Sequence, residues 1–503
     1  MATLSVRKGL TAVAKLAPSH SLIIVGHNRH IKNVPFENLS SKLGGHIDKE
    51  GWTNALERLP TSGSLPIYLN QSKLISIPDT ASRHNSSANP HVIYKEMKSS
   101  GVVSKDTTNL SIVIICEYGQ SLACVSAVAR AFPLYSRKTT VSSLKEINIE
   151  VVFTDKQESE VSDEDISALL SVASSIRTTA RLIDTPANEL TTDAFVDEAL
   201  EIAKQLDGVQ TLVIKGEELL KKGFGGIYHV GKAAVEPPAF VVLSHKPEGA
   251  TSTYALVGKG IVYDTGGMQI KGKTGMPQMK MDMGGAAALL TSFSTLVSSG
   301  FKHNLHVCLC IAENNISPYA NKPDDIITLL SGKTVEINNT DAEGRLVLSD
   351  GVYYAKHFLE ADVVIDLATL TSLQSSVSGC YHAAILTNSE QMEQKVRKIG
   401  QYCGDLVHPM QFVPDMHMGD FRSSVADMKN SNLGGMQGAP SEIAGLFIGS
   451  NIDFGEGIEW LHIDMGSMGM KDERATAYGV PLLVSLLGEY TNAPILSGKG
   501  NTN

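Results

Sequence analysis

The segment Asn338-Asn-Thr-Asp-Ala-Glu-Gly-Arg-Leu-Val-Leu-Ser-Asp350 places two carboxylates and one guanidinium within five residues. Asp341 and Glu343 are two positions apart, so both side chains point to one face if the segment is extended. Gly344 allows the backbone to turn, and Arg345 adds a fixed cation beside the anions. This cluster suits metal chemistry, and the alternative is a solvated acidic loop. The choice depends on whether the rest of the chain supplies partner residues.

Acidic residues elsewhere in the chain supply such partners. The strand-like run Tyr254–Tyr263 carries Lys259 and is followed by Asp264, and Asp282 precedes a predicted helix. Together with the two acidic residues of the first segment these make four carboxylates, which suits two divalent cations that share bridging oxygens. An ammonium group ligates a metal only as the neutral amine, so Lys259 is either a ligand beside strong cations or a salt-bridging lysine.

Composition narrows the class of protein. The chain has 503 residues, 42% of them hydrophobic and 19% charged, which is typical of a globular protein of about two to four domains. The formal net charge of −10 and the lack of any Lys/Arg cluster argue against a nucleic-acid partner. No run of eighteen apolar residues exists, so we expect no membrane span. The six sparse cysteines are typical of reduced core residues in an intracellular protein.

The amino terminus is basic. Residues 1–36 contain no acidic side chain but five basic ones, namely Arg7, Lys8, Lys15, Arg29 and Lys32. This bias resembles a mitochondrial presequence, yet Ser21–Gly26 reads as the first strand of a domain. We therefore expect a cytoplasmic location, with mitochondrial import as the alternative.

The first third of the chain predicts a small α/β domain over residues 1–163. Apolar strand-like runs such as Ser111–Cys116 alternate with helical ones such as Leu122–Phe132. Residues 164–190 are predicted to form a connecting helix and linker, because apolar residues recur there at helical spacing and Pro186 follows.

Residues 191–503 predict a larger catalytic α/β domain. Strands such as Val363–Leu367 alternate regularly with helices such as Gly351–Leu359. This alternation indicates a central, mostly parallel sheet covered by helices. In such folds binding sites lie at the carboxyl ends of the strands.

These residues together resemble the leucyl aminopeptidase family, also called the cytosol aminopeptidases. Asn339–Leu346 matches the signature octapeptide of that family. The other matching pieces cover nearly all of the chain after about residue 180 and are Val257–Ile261, Asp264–Gly267 with Lys271, Asp282–Ala286, Asp184–Asn188, Ala312–Asn314, Leu367–Thr371, Ala426–Asp427 with Asn430, and Trp460–Asp464. The preceding residues resemble the family only in their apparent α/β character.

The resemblance implies a dinuclear metal site and two catalytic residues. Its five implied metal ligands are Lys259, Asp264, Asp282, Asp341 and Glu343. Two divalent ions per subunit are expected, zinc with one exchangeable position that manganese, magnesium or cobalt also fits, and Asp264 and Glu343 would bridge them. The implied catalytic residues that bind no metal are Lys271 and Arg345.

The implied reaction is removal of the first residue from peptides with a free amino terminus. The metals would bind the α-amine and polarise the scissile carbonyl while a bridging water becomes hydroxide. Lys271 would stabilise the oxyanion, and Arg345 would hold a bicarbonate ion that acts as general base. The resemblance also implies a homohexamer.

The pocket for the first substrate residue is expected at Met279, Thr369, Leu370 and Gly466. Nearby residues depart from the family's pattern, namely Met268–Ile270 before the catalytic lysine, Ser372 in place of glycine, and the run Asp464–Gly469. In that run a glycine stands where a bulkier side chain is common. These departures predict a reshaped pocket and a residue preference other than plain leucine. His462, just before this run, is interpreted as a satisfied structural residue.

One rival function has a sequence basis. Gly267–Thr274 fits the phosphate-binding pattern Gly-x-x-x-x-Gly-Lys-Thr of an NTPase, and Val363–Asp366 imitates its acidic strand. A phosphate site of this kind needs a helix that begins at Lys273–Thr274. Gly275 and Pro277 follow at once, which argues against that helix.

A second alternative is a metal-binding scaffold that kept the fold and lost activity. The complete ligand set, together with Lys271 and Arg345, argues against it. A site that has lost its activity would not be expected to keep a cluster of like charges, because their mutual repulsion destabilises the fold.

Overall fold

The computed structural model describes residues 2–12, 17–69, 71–140, 142–434 and 438–498. The chain divides into two compact units. The first comprises Met1–Thr178, Lys398–Leu406 and Val484–Asn503, and the second comprises Thr179–Arg397 and Val407–Leu483. Lys15, one of the basic residues of the amino-terminal stretch, lies outside the described residues.

A six-stranded sheet forms the centre of the first unit. Its strands are β1 Thr3–Lys8, β2 His20–His27, β3 Gly63–Tyr68, β4 Ser72–Ile77, β5 Asn109–Cys116 and β6 Glu146–Phe153. The spatial order is β1-β6-β5-β2-β4-β3, and neighbouring strands are parallel except for β3 and β4. The apolar runs of β2 and β5 are buried, as expected of parallel strands with both faces covered.

Helices α1 to α6 follow the strands of this sheet. They are α1 Asn28–Asn33, α2 Phe36–Ser40, α3 Lys49–Arg58, α4 Pro90–Ser99, α5 Ser121–Arg130 and α6 Asp163–Asp184, with 3-10 turns at Tyr118–Gln120 and Glu158–Glu160. The long helix α6 is the predicted connector, and the division between the units falls inside it. Ser162 caps its start, because the Ser162 hydroxyl accepts the Asp165 N–H at 3.0 Å.

An eight-stranded mixed sheet dominates the second unit, in the order β15-β14-β17-β13-β9-β10-β8-β7. Its strands are β7 Gln210–Lys215, β8 Ala239–His245, β9 Thr253–Asp264, β10 Asn304–Asn314, β13 Val363–Ala368, β14 His382–Thr387, β15 Leu406–Pro409 and β17 Glu459–Asp464. The short strands are β11 Ile326–Thr328, β12 Thr334–Glu336, β16 Met428–Lys429, β18 Met470–Lys471 and β19 Arg474–Ala475. The four central strands β17, β13, β9 and β10 run parallel, so their carboxyl ends meet at one edge.

The remaining helices are α7 Thr192–Lys204, α8 Glu217–Lys221, α9 Gly225–Gly231, α10 Gly284–Ser298, α11 Gly344–His357, α12 Gln374–Ser378, α13 Glu390–Cys403, α14 Pro414–His417, α15 Pro440–Ser450, α16 Val480–Leu487 and α17 Pro494–Ser497. Short 3-10 helices lie at Met279–Met283, Met418–Phe421, Asp453–Gly455 and Gly488–Tyr490. The described residues contain no helix that is long and apolar enough to cross a membrane.

Helix α11 begins at Gly344, so the predicted start at Gly351 is wrong. Its first two turns are buried, and Asp350 ties them to their neighbours. The Asp350 carboxylate accepts the N–H groups of Ile227 at 3.0 Å and Leu330 at 2.8 Å. Because α11 starts earlier, residues 344–350 of the acidic segment 338–350 lie on this helix.

The predicted continuous domain over residues 191–503 needs a correction. Two later segments, 398–406 and 484–498, belong to the first unit. One of the hydrogen bonds that hold them runs from the Ile495 N–H to Asp165 Oδ1 at 2.9 Å. These two residues are 330 positions apart, so no local sequence pattern signals the contact.

Candidate functional site

The carboxyl edge of the central parallel strands gathers the predicted site residues. Asp264 is the last residue of β9, and Asp282 lies in the 3-10 helix that precedes α10. Asp341 and Glu343 lie at the end of the loop that leads into α11. Three segments that are separate in sequence therefore meet at one place, as expected for an α/β sheet, and β9 contributes Lys259 as well as Asp264.

Side-chain distances show how tightly this acidic cluster is packed. Asp264, Asp341 and Glu343 each present a carboxylate oxygen, and these atoms all lie within 4.8 Å of one another. Lys259 Nζ lies 2.7 Å from Asp282 Oδ2 and 2.9 Å from Glu343 Oε1. The structure thus brings all five predicted ligands together.

The second lysine of the cluster is Lys271. Its Nζ lies 2.7 Å from Asp264 Oδ2 and 2.5 Å from Asp341 Oδ1. Its side chain is 16% exposed, whereas that of Lys259 is 2% exposed. Lys271 is therefore the lysine that a molecule in solvent reaches first.

Burial and mutual repulsion shift the pKa values of this cluster. Burial raises the pKa of Asp264 to about 6, and it raises the pKa of Asp282 well above its usual range. For Glu343 the two lysines outweigh burial and lower the pKa of the carboxyl group. Burial opposes the charge of Lys259, but Asp282 and the neighbouring carboxylates outweigh it and raise the pKa of this lysine. The carboxylates and the ammonium groups therefore stabilise one another's charge.

The residues present fit divalent cations. Four carboxylates, three of them buried and that of Asp341 more exposed, face two ammonium groups, which leaves a formal excess of two negative charges. Within the described part of the chain, Glu343 Oε2 is buried and has no hydrogen-bond partner. Buried anions without partners are costly, and hard oxygen donors in this number suit divalent ions.

Gly344 makes room for Lys259. A Cβ atom at position 344 would stand 2.5 Å from Lys259 Cε and 2.8 Å from its Nζ. Any larger residue there would push the lysine away from the acidic cluster. Glycine is therefore needed next to Glu343 in the signature, because a larger side chain would collide with Lys259.

Arg345 lies on α11, one residue beyond Gly344, and is 8% exposed. Its Nη1 donates to the Asn430 carbonyl oxygen at 3.0 Å, while its buried Nε has no partner among the described residues. Burial lowers the pKa of this guanidinium to about 10, partly offset by the Glu343 and Asp464 carboxylates. An unsatisfied guanidinium donor suits an anion.

Asn430 holds the acidic loop, although the predicted site residues do not include it. Its Oδ1 accepts the N–H groups of Asn338 at 2.9 Å and Asn339 at 3.1 Å. Its Nδ2 donates to the Asn339 and Ala342 carbonyl oxygens at 2.6 and 3.3 Å. The only sequence signal for this role is the short matching piece around Asn430.

The predicted pocket residues lie around the same edge. Thr369 Oγ1 donates to Asp282 Oδ1 at 2.8 Å, so this threonine contacts a predicted ligand. Leu370 Cδ1 lies 2.9 Å from the place of a Cβ at position 344. Gly466 follows β17, and Met279 begins the 3-10 helix that carries Asp282.

Asp464 joins two walls of this region and was not among the predicted site residues. It is fully buried, and its Oδ1 accepts the N–H groups of Leu370 at 3.1 Å and Gly466 at 3.0 Å. Its Oδ2 accepts the hydroxyl groups of Thr371 and Ser441, both at 2.6 Å. A buried carboxylate with this many donors fixes the loops that it joins.

Comparison with family models identifies the chain. The model of the cytosol aminopeptidase family, catalytic domain, matches residues 177–484, and the model of the M17 aminopeptidase N-terminal domain 2 matches residues 20–141. This chain belongs to the cytosol aminopeptidase family. The predicted resemblance and the two-domain α/β fold are confirmed.

Similar proteins agree with this assignment. Leucine aminopeptidase 1 of Caenorhabditis elegans is 53% identical over 499 residues, which cover 99% of this chain and 100% of the relative. Probable aminopeptidase NPEPL1 of Homo sapiens is 45% identical over 485 residues, which cover 95% and 92%. A solved structure of Caenorhabditis elegans leucine aminopeptidase matches with a TM-score of 0.93 at 52% identity and covers 98% of this chain and 100% of that one. The chain is a metal-dependent aminopeptidase, a metallo-exopeptidase.

The NTPase alternative is wrong for this aminopeptidase. No helix begins at Lys273–Thr274, because the chain turns without helical structure until Met279. Asp366 does not face a phosphate site either. Its carboxylate pairs with the indole N–H of Trp460 at 2.8 Å and with His462 Nδ1 at 2.5 Å in the core.

His462 is a buried structural residue, as interpreted from the sequence, but only one of its ring nitrogens is satisfied. Within the described residues His462 Nε2 has no hydrogen-bond partner. The Asp366 carboxylate outweighs burial and raises the pKa of His462.

Gly344→Ala tests the steric role of this glycine in the aminopeptidase. The added methyl group displaces Lys259, and misplacement of about 1 Å near the reacting centre lowers kcat/KM by roughly 10²-fold. Alanine is the best helix former, so α11 itself should persist. The measurement is hydrolysis of an aminoacyl amide, with the thermal midpoint of each variant measured alongside.

Gly272→Ala is the matched control for this substitution. Gly272 lies next to Lys271, yet a Cβ there meets nothing within 4 Å. The control should keep its activity within about twofold, since exposed substitutions are usually mild. Equal activity of the two variants would contradict the steric account.

Proposed function

We propose that this aminopeptidase uses two divalent cations held by Lys259, Asp264, Asp282, Asp341 and Glu343 to remove the first residue of peptides with a free amino terminus. The observation that carries the proposal is the cluster of three buried carboxylates and the more exposed Asp341, with its formal excess of negative charge and with a Glu343 oxygen that has no hydrogen-bond partner among the described residues. Asp264 and Glu343 are proposed as the shared ligands, in line with their position within 4.8 Å of each other and of Asp341.

The proposed cofactors are zinc at one position and zinc, manganese, magnesium or cobalt at the exchangeable position. When bound, such ions supply Lewis acidity toward a carbonyl group and lower the pKa of water. The role of the chain is to hold the ligands in a dry, fixed arrangement. Lys259 is 2% exposed and lies between Asp282 and Glu343, which supports its neutral amine as the proposed fifth ligand.

Lys271 is proposed as the residue that stabilises the negative charge developing on the carbonyl oxygen of the substrate. Its Nζ lies beside Asp264 and Asp341 and remains partly open to solvent. A preorganised cation beside the reacting carbonyl stabilises the transition state more than the ground state. Two carboxylates hold the ammonium group in place, so it needs no rearrangement before it acts.

Arg345 is proposed to hold a bicarbonate ion that serves as general base. The buried Nε without a partner supports this role, because a guanidinium binds a planar anion through parallel hydrogen bonds. Asn430 fixes the other side of the guanidinium through its carbonyl oxygen.

The substrate pocket is proposed at Met279, Thr369, Leu370 and Gly466. Thr369 supports this placement because its hydroxyl group donates to Asp282. Leu370 supports it because its Cδ1 lies 2.9 Å from the place of a Cβ at Gly344. We propose a residue preference other than plain leucine, whereas the name of the Caenorhabditis elegans relative points to leucine. By family resemblance we propose a homohexamer in the cytoplasm, with mitochondrial import as the alternative.

Metal removal tests the proposed reaction. An unblocked dipeptide should be hydrolysed, and a chelator or Asp282→Asn should abolish turnover without loss of the fold, because each removes a cation or its ligand. Peptide with an acetylated amino terminus should remain uncleaved. Absence of turnover with every divalent metal tried would favour the inactive scaffold.

Lys271→Met should lower kcat by roughly 10²- to 10³-fold, the usual effect of removing one oxyanion donor. Lys273→Met is its matched control on the same loop, exposed and outside the cluster, and it should keep its activity. A large loss of activity in the control, or none in the Lys271 variant, would argue against the assigned role.

Bicarbonate addition tests the role of Arg345. In buffer freed of carbon dioxide, the activity of the unaltered enzyme should rise several-fold when bicarbonate is added, because the ion supplies a base. Arg345→Ala should show low activity that no longer responds to bicarbonate, measured as kcat over a bicarbonate titration. A variant that responds like the unaltered enzyme would disprove the assignment.

A further inference from the structure

Gln269 lies on the turn that carries Lys271, and its side chain binds the backbone of the signature segment, residues 338–346. Its Oε1 accepts the Thr340 N–H at 2.6 Å, and its Nε2 donates to the Asn338 carbonyl oxygen at 3.3 Å. A carboxamide offers both an acceptor and a donor, so one side chain pairs with two backbone groups of the segment. The two segments are 71 positions apart in sequence at this contact.

Thr340 makes the return contacts to the same turn. Its hydroxyl group accepts the Gln269 N–H at 2.9 Å and donates to the Gly266 carbonyl oxygen at 2.7 Å. Thr340 is 6% exposed, so water competes little for these bonds. The turn and the signature segment are therefore joined from both sides.

The turn itself is closed, so the backbone of Lys271 is fixed relative to it. The Lys271 N–H donates to the Thr265 carbonyl oxygen at 2.9 Å, and Gly266 and Gly267 have φ values of 87° and 69°, which favour glycine. A Cβ atom at position 266 would stand 3.0 Å from Asp341 Oδ1. The turn thus packs directly against the part of the signature segment that carries a predicted ligand.

The ion pairs of Lys271 are not sufficient to hold it in a metal-loaded enzyme. Its Nζ contacts Asp264 and Asp341, and both are proposed metal ligands. Divalent cations would compete with the ammonium group for these oxygens. The contacts of Gln269 lie outside that competition, because they involve the backbone and the hydroxyl group of Thr340 and the backbone of Asn338.

We propose that Gln269 is a positioning residue that joins the turn of Lys271 to the signature segment and so places the Lys271 ammonium group beside the substrate carbonyl. The inference rests on the proposed function, which assigns oxyanion stabilisation to Lys271. A charge lowers the barrier most when it is held in advance where the transition state needs it. Gln269 is also the central residue of the run Met268–Ile270, which departs from the family's pattern, so this contact is a feature of the present chain.

The first test is the kinetics of Gln269→Leu with an aminoacyl amide. Leucine keeps most of the volume of the side chain and the backbone N–H bond to Thr340 but removes the carboxamide. We expect kcat to fall by about tenfold, less than the roughly 10²-fold cost of a full 1 Å misplacement. KM should change by less than about twofold, because Lys271 acts on charge that develops in the transition state.

Thr274→Val is the control for this substitution. It also replaces a polar side chain by an apolar one of similar size, and Thr274 is an exposed residue that follows Lys271 by three positions. Activity should stay within about twofold of the unaltered enzyme, since exposed substitutions are usually mild.

A double-mutant cycle with Lys271→Met separates positioning from general damage to the fold. If Gln269 acts through Lys271, Gln269→Leu should lower kcat by less than about twofold in the Lys271→Met background, because the two residues are coupled. A loss of about tenfold in both backgrounds would show independent effects and would overturn the inference.

Amide hydrogen exchange of the full chain, with and without manganese, gives a readout that does not depend on activity. In Gln269→Leu a peptide that covers residues 338–343 should exchange about fivefold faster, because the Thr340 N–H has lost its acceptor. A peptide from α10 should be unchanged. Unchanged exchange of 338–343 would overturn the inference. If Gln269→Leu fails to fold, Gln269→Ser takes its place in every measurement.

The outcomes also separate this inference from the proposed function. A kcat of Gln269→Leu within about twofold of the unaltered enzyme, with a large loss in Lys271→Met, would overturn the role of Gln269 and leave the reaction intact. Full activity of Lys271→Met, or absence of turnover by the unaltered metal-loaded enzyme, would overturn the proposed function instead.

Discussion

The structure of the second unit depends on one electrostatic constraint, the packing of three buried carboxylates and the more exposed carboxylate of Asp341 beside two ammonium groups. Like charges at this spacing repel one another, and removal from water makes each of them costly. Lys259 and Lys271 offset this cost in the metal-free chain, because each contacts two carboxylates within 3 Å. A formal excess of two negative charges remains, and the proposed divalent cations would compensate it.

The surrounding structure keeps this cluster in place. The parallel core of the sheet brings the ends of four strands to one edge, and loops from distant parts of the sequence extend from that edge. Asn430 and Asp464 then hold those loops through hydrogen bonds to backbone groups. Among the described residues, neither side chain forms a hydrogen bond with the side chain of a proposed metal ligand. Their role is to fix the loops, which reduces the rearrangement that binding and catalysis require.

The sequence predicts those parts of the site that local chemistry marks. Asp341 and Glu343 are recognisable because paired carboxylates beside an arginine suit metal chemistry once other acidic residues join them, and Asp264 because it ends an apolar strand. Asp464 and Asp184 are not recognisable in this way, since their partners lie far away in the sequence. The early start of α11 is missed for a similar reason. Its first turns are determined by burial and by the long-range contacts of Asp350, and local pattern does not reveal either.

Manganese titration of the metal-free protein, followed by electron paramagnetic resonance, tests the central claim most directly. We expect two manganese ions per chain with a spectrum of two exchange-coupled ions, because paired metal sites of this kind hold their ions about 4 Å apart. Asp282→Asn should reduce the stoichiometry or the coupling. A single bound ion, or two ions with the spectrum of isolated manganese, would contradict a dinuclear centre built on this buried cluster.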